Sequence, residues 1–75
     1  MTKDIRDVLA AQPFQPFVVH TADGRGYDVP THDHAHVSPG GGRVSIWTDD
    51  DTEYILPSLL ISGLNVRSNG KHDMQ

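Results

Sequence analysis

The sequence predicts a mostly β, α+β fold: an N-terminal helix followed by a strongly bent five- to six-stranded antiparallel sheet or small barrel. Three observations carry this expectation. Val, Ile and Thr outnumber Ala and Leu, which favours strand over helix. Seven Gly and five Pro punctuate 75 residues, so segments are short and turns frequent. All but one of the ten acidic residues are Asp, which prefers caps and turns to helix interiors.

Residues 2–12 read as one short helix, centred on 3–11. Thr2 is placed to cap it, and Asp4 in the first turn suits the positive end of the helix dipole. Ile5, Val8 and Leu9 follow the i, i+3, i+4 rule, and Pro13 stops the helix. So short a helix cannot stand alone in water, so its stripe must dock. Phe14 and Phe17 are expected to staple the helix end to the sheet. Strands are expected near 15–21, 26–31, 34–38, 43–48, 52–56 and 61–66, each with alternating side chains. Asp23-Gly24, Pro39–Gly42 and Asp49–Asp51 mark turns between them, and Pro57–Leu60 reads as one tight turn. Val19, Val29, Val37, Val44, Ile46, Leu56 and Ile61 are the expected core. One helix cannot cover a flat sheet of this many strands, so bending toward closure is the economical solution. Residues 1–67 form a single small domain in this reading, and 68–75 a disordered tail.

Composition narrows function. Without cysteine there is no disulfide and no thiol chemistry. No apolar run is long enough to cross a membrane, and no apolar leader follows Met1, so a cytoplasmic location is expected. The formal charge is −4. It concentrates in the middle, where Asp28, Asp33, Asp49, Asp50, Asp51 and Glu53 stand against Arg43 alone. That region repels phosphate and disfavours nucleic acid.

In THDHAH, His32, His34 and His36 alternate, and His-x-His on an extended strand can chelate a metal. The outer two would be about 13 Å apart on a strand, so at most two serve one ion, with help from Asp28, Asp33 or another subunit. A bent, solvated loop is the other reading. Asp49–Glu53 lacks the spacing and the Gly of a calcium loop, and Gly40–Gly42 lacks the Lys-Ser/Thr and helix of a phosphate cradle. No serine lies in a nucleophile elbow, and the sequence implies neither an enzyme nor a cofactor. Trp47 is either half-buried or a contact for a partner. Ile61, Leu64 and Val66 on the last strand are candidate contacts for another copy, since that strand and 52–56 are expected at sheet edges.

TADGRGYDV (21–29) and ISGLNV (61–66) resemble the strand–DGR–strand opening and the Gly-x-Asn-hydrophobic closing motif of Sm-like domains. With a helix first and bent strands after it, residues 2–66 resemble the Sm-like fold of small ring-forming RNA-binding proteins, the Hfq type included. The resemblance implies a small barrel and a ring. Ser62 stands where that family carries a base-contacting Arg, and Val37 where its nucleotide loop carries Asn, with only Asp33 matching. The implied barrel is therefore carried better than the implied RNA binding. A closer resemblance is to a group of short uncharacterised bacterial proteins. They share an opening helix, a Gln/Arg-Pro-Phe-x-Pro-Phe segment, a DGR turn, a His-containing stretch and a Leu-x-Ile-Ser/Thr-x-hydrophobic end. Here these are Gln12–Phe17, Asp23–Arg25, His32–His36 and Leu59–Leu64. It implies no activity.

Three functions remain open on the sequence: a non-catalytic small-barrel module acting by self-association or on a protein partner; an Sm-like RNA-binding ring; and a metal-binding or pH-responsive protein built on His32, His34 and His36.

Overall fold

The computed structural model describes residues 2–66. The expected tail at 68–75 lies outside the described residues. Helix α1 (Thr2–Ala10) is followed by β1 (Phe17–Thr21), β2 (Gly26–Val29), β3 (Ala35–Val37), β4 (Arg43–Trp47), β5 (Glu53–Pro57) and β6 (Ile61–Val66). Short 3-10 turns at His32–His34 and Ser58–Leu60 join β2 to β3 and β5 to β6. All strand pairings are antiparallel.

The strands form two sheets of three, ordered β2-β1-β6 and β3-β4-β5, rather than one bent sheet or a closed barrel. The break falls between β2 and β3. Pro30 has no N–H for a ladder. The Thr31 hydroxyl then accepts the Asp33 N–H at 3.2 Å and caps the 3-10 turn, so the expected strand start at 34 is not extended. At the other end Ser58–Leu60 separates β5 from β6, and those two edges do not pair.

Both sheets turn their apolar faces into one core. The seven residues expected there are all buried, joined by Ile5, Phe17 and Ala35. In β1 the buried Phe17, Val19 and Thr21 alternate with Val18 and His20. Strand β6 bulges once against β1, where Thr21 faces Ile61 but His20 faces Gly63. The Ser62 hydroxyl at that step donates to the His20 carbonyl at 3.3 Å.

Helix α1 seals the core with Ile5, which is fully buried, while Val8 and Leu9 pack beside it. The Arg6 guanidinium donates to the Ser38 and Pro39 carbonyls at 2.8 and 3.1 Å and ties the helix to the β3–β4 turn.

The β1–β2 and β4–β5 turns share one design. The Thr21 N–H donates to the Arg25 carbonyl at 3.0 Å, and the Thr48 N–H to the Thr52 carbonyl at 2.9 Å. The third residue's carboxylate takes the Thr hydroxyl and a later backbone N–H: Asp23 from Thr21 and Arg25, Asp50 from Thr48 and Thr52. The fourth residue takes positive φ, +88° at Gly24 and +69° at Asp51. A three-residue hairpin loop needs a left-handed residue there.

Two outcomes are expected. Ile5→Ala should lower stability by about 2–5 kcal/mol in denaturant titration, since it empties the seal of a small core. Asp51→Gly should raise stability by about 0.5–1 kcal/mol, because it relieves a side chain held at left-handed φ.

Candidate functional site

The His-rich stretch does not lie on one strand. His32 and His34 sit in the 3-10 turn and His36 is an exposed residue of β3. The alternation that would put His32 and His34 on one strand face is therefore absent. His32 approaches Asp33 at 3.1 Å, and Phe14 packs edge-on to its ring. His34 instead reaches across to the β4–β5 turn, its Nε2 2.9 Å from Asp49 Oδ1 and its Nδ1 2.8 Å from the Thr31 hydroxyl. One arrangement of protons satisfies every member of this relay. The Asp33 N–H donates to Thr31, the Thr31 hydroxyl to Nδ1, and Nε2–H to the Asp49 carboxylate. Among the described residues no three His, Asp or Glu side chains gather as a group able to hold a metal ion.

His34 lines a cleft of about 700 Å³ to which both sheets contribute residues. Phe17, Val29 and Ile46, all core residues, form its floor. Tyr27 on β2 and Tyr54 on β5 meet across it with ring centroids 5.2 Å apart and planes at 58°, a tilted contact typical of aromatic pairs. Trp47, half-buried at the end of β4, Asp28 on β2 and Asp49 complete the rim. A second, shallower hollow continues past Trp47, His34 and Asp49 to Asp33 and Asp51.

A different surface lies along β5, the 3-10 turn and β6. Ile55, Leu59, Leu60 and Val66 are exposed there, Leu59 by 95%. Of the contacts expected from sequence, Val66 belongs to this surface and Trp47 to the cleft. Leu64 is half-buried against the core, and Ile61 lies in the core. Ile61 turns inward because it faces Thr21, itself buried. Sequence reading missed Ile55, Leu59 and Leu60. Their one signal was an apolar run, ILPSLLI, longer than alternation about a single buried face requires.

Compared with known proteins, the chain matches no family model, no curated protein and no solved structure. Function must therefore be read from these two surfaces.

The turns beside the cleft set an acid response. The Thr21 hydroxyl, aided by the Arg25 N–H and guanidinium, holds the Asp23 carboxyl below the usual carboxylate range. The Thr48 hydroxyl and the Thr52 side chain and N–H do the same for Asp50. Folding thus favours both ionised forms. The stability they contribute is fully present above the ordinary value of 3.8 and is lost as pH falls through the lowered folded values. Melting temperature should drop on acidification from about pH 5 to pH 2. The drop should be smaller in an Asp23→Asn, Asp50→Asn double variant, as thermal melts across that range would read.

Proposed function

We propose that this chain is a non-catalytic module that acts by self-association, with the free edges of β5 and β6 as its contact. The observation that carries this is four exposed apolar residues on consecutive elements: Ile55 on β5, Leu59 and Leu60 on the 3-10 turn, and Val66 on β6. An edge strand offers unpaired N–H and C=O groups to another strand, and apolar side chains beside it favour occupancy. Among the described residues β5 pairs only with β4, and β6 only with β1. Natural edges are usually blunted by charge, and here the only charge on either strand is Glu53 at the start of β5. A second copy carries both edges already matched in length and apolar character, and its docking supplements a core that is thin for a domain of this size.

The Sm-like small-barrel reading belongs to the same proposal. It is supported by the order of one helix and then short antiparallel strands, with ISGLNV forming the edge strand β6. Strands β5 and β6 are each one edge of a three-stranded sheet, and pairing with neighbouring copies would extend both sheets.

Light scattering coupled to size exclusion is the test. The wild-type chain should run at an integer multiple of its chain mass. Leu59→Lys and Ile55→Lys, both at exposed positions, should weaken assembly at least about tenfold, equivalent to about 1.4 kcal/mol, with unchanged circular dichroism. Leu64→Lys is less informative, because Leu64 also packs on the core. A wild-type chain that stays a strict monomer at high concentration overturns the proposal.

A further inference from the structure

We propose that the cleft between the two sheets recognises a basic peptide segment, with a Lys or Arg side chain entering among Tyr27, Trp47 and Tyr54. This site shares strand β5 with the self-association surface through Tyr54, but none of Ile55, Leu59, Leu60 and Val66 lines it.

The first support is the concentration of rings. The chain holds one Trp, two Tyr and two Phe, and all but Phe14 line this cleft. Phe17 is buried, Tyr27 and Trp47 are half-buried, and Tyr54 is exposed. Aromatic faces carry negative potential and attract ammonium or guanidinium groups, Trp most strongly. A cleft of about 700 Å³ also falls in the size range of real ligand sites.

The second support is charge. Asp28 and Asp49 flank the rings, and the adjoining hollow adds Asp33 and Asp51. The one guanidinium on the lining, Arg25, is held by Asp23 at 3.4 Å. Asp49 and Asp33 lie against His34 and His32, while Asp28 and Asp51 form no ion pair among the described residues, so the lining favours a cation and repels a phosphate backbone.

The third support concerns what carries the cation. The whole of β2, from Gly26 to Val29, lines the cleft. Among the described residues β2 pairs only with β1, so its outer edge keeps main-chain groups free for an extended chain. A free ammonium ion has no use for such an edge, whereas a peptide adds to it as a strand does.

Trp47 is the only tryptophan, so its emission reports directly on the cleft. The full chain would be titrated with end-blocked tri-arginine, tri-lysine and tri-glutamine peptides, with tetramethylammonium, and with single-stranded oligouridylate. Running the same series on Leu59→Lys separates this site from self-association. The expected result is a saturable change with the two basic peptides, in the millimolar range or tighter, in both proteins. Raising the salt concentration should weaken it by screening. Asp28→Asn should weaken it about tenfold while leaving the His34–Asp49 contact in place. Asp33→Asn, at the far end, serves as a second variant if the first is poorly folded. Equal binding of tri-glutamine, a response to RNA or to tetramethylammonium without one to the peptides, or no saturable change with either basic peptide would overturn the proposal.

Discussion

The architecture depends on one interruption, the break in pairing between Val29 and Ala35. Pro30 cannot donate to a ladder, and the Thr31 hydroxyl accepts the Asp33 N–H, which turns the segment out of extension. A continuous strand here would have carried β2 directly into β3 and linked the two sheets through it. The break lets them turn apolar faces toward each other. The cleft, its aromatic lining and the position of His34 all follow from that break.

Closing the core is the second requirement, and α1 meets it with little material. Ile5 is its one buried residue, and Arg6 fixes the helix through two backbone carbonyls. Charge-assisted hydrogen bonds to backbone are stronger than neutral ones, so the helix does not rest on its short apolar stripe alone. Among the described residues no buried side-chain nitrogen or oxygen lacks a partner. The fold thus leaves its apolar excess outside, on β5 and β6, and its polar excess at the rim of the cleft.

Alternation made most of the sheet legible from sequence. Val19, Val29, Val44, Ile46 and Leu56 could be placed in the core because period two fixes the inward face once one member is known. The Asp23-Gly24 turn was legible for the same local reason. Three features were legible in part or not at all. The His-rich stretch has strand-like alternation, but a hydroxyl two residues before Asp33 outcompetes extension there. The division into two sheets depends on pairing between distant segments, which period alone does not encode. Asp49–Asp51 was legible as a turn, but that Asp50 performs the role of Asp23 and Asp51 that of Gly24 was not. The common element is a Thr two residues before the liganding Asp, a spacing easily lost inside a run of acids.

The pairing of β6 with β1 also bears on how the chain assembles. The β1–β2 and β4–β5 hairpins join neighbours in sequence through self-contained turns, so each can form with little loss of chain entropy. Joining Thr21 to Ile61 requires closing a loop that contains four of the six strands or their connections. Loop closure of that span is entropically costly, and contacts of high sequence separation slow folding. Strand β6 is therefore expected to dock late, after both hairpins exist. Until it does, the paired edge of β1 and the apolar residues of β6 are open together, and a neighbouring chain at the same stage presents the same two surfaces. The segment that completes the monomer is thus also the one best placed to be exchanged between copies.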